Sequence, residues 1–176
     1  MKASDEQAFR EFADARMSAL QRTAYLLCGD WHRAEDVVST AIVKLYSSWR
    51  RVSRADNPEA YARQVVVRTW LDETRRPWRR ERSVDIVPDS PAYDADVTPD
   101  AVVRRADLRR LLTEMPARQR AVLVLRFYDD LSVERTAEIL GCSPGAVKTL
   151  TSRALGTIRG RLPNGVTTLS DLEEAM

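Results

Sequence analysis

The stretch Leu131-Ser132-Val133-Glu134-Arg135-Thr136-Ala137-Glu138-Ile139-Leu140-Gly141-Cys142-Ser143-Pro144-Gly145-Ala146-Val147-Lys148-Thr149-Leu150-Thr151-Ser152-Arg153 decides the fold. It reads as two short helices joined by a tight turn. Ser132 suits the start of the first helix, because a hydroxyl can accept from an otherwise unpaired backbone N–H. Gly141 suits its end, where the left-handed conformation carries no Cβ penalty. Ser143 caps the second helix, and Pro144 opens it at a position where the missing N–H costs nothing. Ala137, Ile139, Leu140, Val147 and Leu150 are expected to pack the two helices together. The second helix then presents Lys148, Thr149, Ser152 and Arg153, a face suited to a DNA major groove. An ordinary helical hairpin is the plain alternative. The stop, the cap and the basic face occurring together favour the DNA-reading form.

Working outward, the 176 residues are 31% charged and hold only 6 glycines, which favours helices. The net charge of +2 is unevenly spread. Residues 1–81 carry +3, 82–100 carry −4, 101–162 carry +6 and 163–176 carry −3. Two basic blocks around an acidic stretch suit a polyanionic partner. Only Lys2, Lys44 and Lys148 among the 28 basic residues are lysine. Arginine suits phosphate and guanine contacts, although a GC-rich genome gives the same bias. Cys28 and Cys142 form no CxxC pair and read as buried thiols of a reducing compartment. No apolar run is long enough for a membrane span, and Met1 to Glu6 lacks the apolar core of a signal peptide.

Helical spacing recurs along the chain. Ser4 or Asp5 caps a first helix bearing Phe9, Phe12, Ala13, Met17, Leu20, Ala24 and Leu27, broken at Gly29-Asp30. A second runs from about Trp31 to Trp49 on the stripe Val37, Val38, Ala41, Ile42, Leu45, Tyr46 and Trp49. Arg50 to Pro58 reads as a loop. Asn57 and Pro58 open a third helix carrying Ala60, Tyr61, Val65, Val66, Val67, Trp70 and Leu71, which ends in the basic run Arg75 to Arg82. Residues 83–98 are rich in Pro and Asp and read as a linker. A fourth helix starts at Thr98-Pro99-Asp100, and a fifth runs from about Ala117 to Tyr128. The expected fold is all-α: two small helical domains, 1–82 and 99–162, joined by a flexible acidic linker, with a helix-turn-helix in the second and an acidic tail at 163–176.

Two motifs resemble a known family. The first is Ala34-Glu35-Asp36-Val37-Val38 leading into Ile42-Val43-Lys44-Leu45-Tyr46 and Trp49. The second runs from Met115-Pro116-Ala117-Arg118-Gln119-Arg120 through Leu131-Ser132, Leu140-Gly141 and Val147-Lys148 to Ser152-Arg153-Ala154. In this order, with an acidic linker between, they resemble the two-domain extracytoplasmic-function (ECF) sigma factors of RNA polymerase, and most of all the actinobacterial SigE-like subfamily. The resemblance covers nearly all of residues 5–162. Ser39, Arg68 and Thr136 stand where the family often has Gln, Asn and Ile. Leu150 stands where it is frequently polar.

The resemblance implies a protein without catalytic residues, metal or cofactor. It joins core RNA polymerase through the β′ clamp helices and the β flap, and directs promoter-specific initiation in the cytoplasm, at the nucleoid. Glu35, Asp36, Ser39 and Lys44 are the implied clamp contacts. Asn57, Tyr61, Arg63, Gln64, Val67 and Arg68 are candidates for the melted −10 strand, with Arg75, Arg76, Arg79 and Arg80 on duplex phosphates. Tyr61 is open between stacking on a base and packing in the core, whereas Trp70 reads as core. Lys148, Thr149, Ser152 and Arg153 are expected at the −35 major groove, with Ser143 and Gly145 at a phosphate. Arg118, Arg120 and Arg126 meet the DNA backbone or stay solvated. An anti-sigma partner is common in the family.

A free-standing helix-turn-helix regulator is the main alternative, but the first half shows no receiver or ligand-pocket pattern. An enzyme is disfavoured: His32 is the only histidine, and no Gly-rich phosphate loop occurs.

Overall fold

Apolar side chains at three- and four-residue spacing make every regular element among the described residues a helix. The computed structural model describes residues 3–75 and 99–161. The chain divides into two compact units, Met1–Arg80 and Glu81–Met176. The expected linker at 83–98, the tail at 163–176 and Arg76, Arg79 and Arg80 lie outside the described residues.

The first unit is built from α1 (Ala3–Cys28), α2 (Trp31–Ser47), α3 (Trp49–Val52) and α4 (Pro58–Thr74). α1 already includes Ala3, so Ser4 and Asp5 lie in its first turn rather than before it. Asp5 and Glu6 there complement the positive end of the helix dipole. Gly29 breaks the chain at φ 73°, a conformation that disfavours any Cβ. Asp30 then caps α2 by accepting from the Arg33 N–H at 2.8 Å. The buried face of α2 is Ala34, Val37, Val38, Ala41 and Leu45. Ile42 is only half-buried and Tyr46 is exposed, so the stripe is narrower than expected.

α2 also stops sooner than its periodicity suggests. Ser48 leaves the helical conformation at φ −110°, ψ 10°, and the chain restarts as α3. This bend turns both Trp49 and Val52 into the core. The expected loop therefore begins only at Ser53. Trp49 packs 5.2 Å, ring to ring, from Phe9 and from Phe12, tying α3 to α1. Asn57 caps α4 through the Ala60 N–H at 2.9 Å, with Pro58 following as expected. Val66, Val67 and Trp70 of α4 close the core.

The second unit holds α5 (Pro99–Glu114), α6 (Ala117–Leu123), α7 (Val133–Leu140) and α8 (Pro144–Arg161). The expected single helix from Ala117 to Tyr128 widens into a π-helical turn at Val124–Tyr128. There the Asp129 N–H reaches back five residues to the Val124 carbonyl at 2.9 Å. Val124, Leu125 and Phe127 are all buried by this turn. Asp130 then takes φ 47°, which an Asp side chain tolerates better than most.

The turn chemistry of the helix pair is as the sequence indicates. Ser132 accepts from the Arg135 N–H at 3.0 Å. Gly141 sits at φ 60°, and the Cys142 N–H returns to the Ala137 carbonyl at 3.0 Å. Ser143 accepts from the Ala146 N–H at 3.2 Å. Val147, Ala154 and Ile158 of α8 are buried with Ala137, Ile139 and Leu140 of α7. Leu150 is only half-buried, and so is Cys142, in contrast to the buried Cys28.

Thr136 is fully buried on α7, and its hydroxyl has no hydrogen-bond partner among the described residues. Thr136→Val keeps the shape and removes the orphaned group. It is expected to raise the unfolding free energy by about 1 kcal/mol in urea titration. A loss of stability of similar size would show that the hydroxyl is satisfied.

Candidate nucleic-acid interface

The exposed face of α8 follows from what its other side buries. With Val147, Ala154 and Ile158 inward, Lys148, Thr149, Ser152 and Arg153 are left exposed. Lys148 and Ser152 line a shallow groove with Arg126, Val133, Thr151, Leu155 and Arg159. Arg159 was not singled out in the sequence, yet it extends the basic side of this groove. The four expected side chains are not equivalent. The Thr149 hydroxyl donates to the Gly145 carbonyl at 3.0 Å, so its proton is engaged within its own helix. Ser143 is the cap. A Cβ on Gly145 would meet only Ser143 Oγ, at 3.9 Å, so internal packing does not demand glycine there.

Three arginines expected at the DNA backbone or in solvent have work inside the fold. Arg120 is only 8% exposed and donates to the Thr113 and Met115 carbonyls, joining the end of α5 to α6. It is a structural cation rather than a phosphate ligand. Arg118 is exposed, but its Nη2 donates to the Leu140 carbonyl at 2.6 Å, holding the end of α7. Arg126 similarly donates to the Leu131 carbonyl. These three guanidiniums satisfy carbonyls that the helix ends and turns leave open.

In the first unit, Glu35, Asp36 and Ser39 form an exposed polar strip on α2. Lys44 departs from that strip in its bonding: its ammonium donates to Thr69 Oγ1 of α4 at 3.0 Å. Val43, 68% exposed, and Tyr46, 43% exposed, add apolar surface to α2 that the motif reading did not select. A run of mixed apolar and polar residues does not by itself say which side faces out.

The α4 candidates separate sharply. Val67 is fully buried and is a core residue, which removes it from the strand contacts. Tyr61 is half-buried and accepts from Arg51 Nη2 at 2.6 Å. The Arg51 guanidinium carbon lies 5.7 Å from the Tyr61 ring centroid. Arg63 pairs with Glu59, which also meets Arg16 at 3.2 Å. With its amide turned to suit both groups, Gln64 accepts from Arg68 at 2.8 and 3.1 Å. Arg68 and Arg75 are exposed. The Asn57 carbonyl oxygen is held in the cap. Among the described residues no cluster of His, Cys, Asp and Glu could hold a metal ion, and no helix is long and apolar enough to cross a membrane.

Comparison with known proteins identifies this pair of helical units. Residues 12–80 match the family described as Sigma-70 region 2, and residues 105–158 match Sigma-70, region 4. An RNA polymerase sigma-E factor of Streptomyces avermitilis is 36% identical over 157 residues, 88% of this chain and 84% of that protein. The chain belongs to the RNA polymerase sigma factors of the ECF group. The sigma-E factor of Streptomyces coelicolor is 34% identical, covering 88% of this chain and 85% of that one. In fold, the sigma factor RpoE of Bartonella quintana, solved in complex with the anti-sigma factor NepR, superposes with a TM-score of 0.73. That match spans 90% of this chain and 98% of that one at 21% identity.

Within this sigma factor the roles of Arg118 and Arg120 can be separated by stability. Arg120→Ala leaves two carbonyls without their donor and is expected to cost about 2–3 kcal/mol. Arg118→Ala removes a single part-buried bond from an exposed side chain and costs less. Urea titration of the full chain checks the order. Equal stability of Arg120→Ala and the parent would return Arg120 to the surface.

Proposed function

We propose that the two units divide the labour of a sigma factor. The first, residues 1–82, joins core polymerase and contacts the −10 element. The second, residues 99–162, reads the −35 element through α8. Residues 83–98 tether them, so that two moderate contacts combine through effective concentration. Glu35, Asp36 and Ser39 meet the β′ clamp helices. Lys44 acts there chiefly by bracing α2 on α4. Asn57, Tyr61, Arg63, Gln64 and Arg68 border the melted strand, and Arg75, Arg76, Arg79 and Arg80 meet duplex phosphates. The second unit also meets the β flap. The protein acts in the cytoplasm, at the nucleoid, as a binding factor rather than an enzyme. An anti-sigma partner is part of this reading, supported by the NepR-bound fold relative. The acidic tail at 163–176 has no assigned role.

The observation that carries the reading is the exposed row Lys148, Ser152 and Arg153 on a helix whose opposite side is anchored. Side chains that touch base edges confer sequence preference, while those on phosphates set position. Lys148→Ala combined with Arg153→Ala is expected to abolish promoter-specific run-off transcription and leave core binding intact. Each lost base contact of this kind is worth about 1–3 kcal/mol. A double variant that transcribes normally means that another surface reads the upstream element.

A further inference from the structure

We propose that Arg51 is a positioning residue for base selection in the melted strand, acting through Tyr61 and the loop between them. The proposal rests on the reading that the region from Ser53 to the start of α4 borders the −10 strand. Arg51 lies in the stretch from Arg50 to Pro58 but was not among the candidate strand contacts.

The loop Ser53–Asn57 is short, and its ends are well held. On one side the Ser53 N–H bonds to the Trp49 carbonyl at 2.8 Å, and the Ala55 N–H to the Val52 carbonyl at 3.0 Å. On the other side Asn57 caps α4. One side-chain bond spans the two shores: Arg51 Nη2 to the Tyr61 hydroxyl, across ten residues. It is short at 2.6 Å, and its donor is charged, the stronger kind of hydrogen bond. The guanidinium also stands over the phenol ring. The staple therefore sets the spacing of α3 from α4 and the angle of the Tyr61 ring together.

Its surroundings suit a nucleotide rather than core packing. Arg51 is exposed and Tyr61 only half-buried, so the guanidinium and one side of the ring are open to a partner. A guanidinium has five N–H donors in a planar fork, and Tyr61 takes one here. The planar cation and the aromatic ring can both stack on an unpaired base, the usual means of holding single strands. A lysine would keep the charge and lose the plane and the fork. Arg50 beside it meets Asp5 at 3.5 Å and so faces α1, so of the two α3 arginines it is Arg51 that reaches α4.

The test uses holoenzyme reconstituted with core polymerase and a promoter library randomised across the −10 element. Wild type, Arg51→Ala, Arg51→Lys and Tyr61→Phe are compared for core affinity, thermal midpoint, opening rate and base preference. Arg51→Ala and Tyr61→Phe are expected to keep core affinity and to lower the melting temperature by only a few degrees. Opening should slow about 10-fold, the scale of a lost charge-assisted bond, and base preference in the −10 element should flatten. Arg51→Lys should restore the charge without restoring the preference. An unchanged preference profile in Arg51→Ala overturns the proposal, as does full rescue by lysine. If wild type itself shows no −10 preference, the reading of this loop as a strand contact fails instead.

Discussion

Each unit depends on the same constraint: a helix that buries one side against its neighbours must offer the other side to something else. In the second unit the buried side of α8 is Val147, Ala154 and Ile158. Burying a Val or Ile side chain contributes roughly 1.5–3 kcal/mol, so Val147 and Ile158 strongly fix the rotation of α8 about its axis. Lys148, Ser152 and Arg153 are outward as a consequence. In the first unit the buried side of α2 does the same for Glu35, Asp36 and Ser39. The exposed faces of both helices are thus set by packing inside each unit.

Arginine serves two ends in this chain. A cation near a helix C-terminus or a turn can satisfy carbonyls that the backbone leaves open. Arg118, Arg120 and Arg126 do this around the helix-turn-helix, and they hold in place the scaffold that aims α8. Arg153 and Arg159 lie on the far side of α8, exposed. A net charge of +2 therefore understates how the basic groups are deployed, because some of them stabilise the fold and others are left exposed.

Local chemistry was legible in the sequence. Gly141, Ser132, Ser143 with Pro144, and Asn57 with Pro58 act through atoms within about one helical turn, and each takes its expected place. The stripe of α2 was legible because its period repeats over seventeen residues. Features that join residues distant in the chain were not. Lys44 on Thr69, Arg51 on Tyr61 and Arg118 on Leu140 are separated by 25, 10 and 22 positions. Val67 was assigned to the strand by resemblance, and sequence alone does not say which of the consecutive Val65, Val66 and Val67 lie on the inner side. The π-helical turn and the restart at Trp49 answer to the shape of the core, which periodicity does not encode.

The central claim is that one half of this molecule engages the transcription machine while the other half recognises upstream duplex. Run-off transcription with a sigma-free core enzyme and a randomised promoter pool tests it most directly. The account predicts transcripts from a subset of templates that share one upstream and one downstream element at fixed spacing. No initiation above core enzyme alone, on any template, with a competent core preparation, would contradict it.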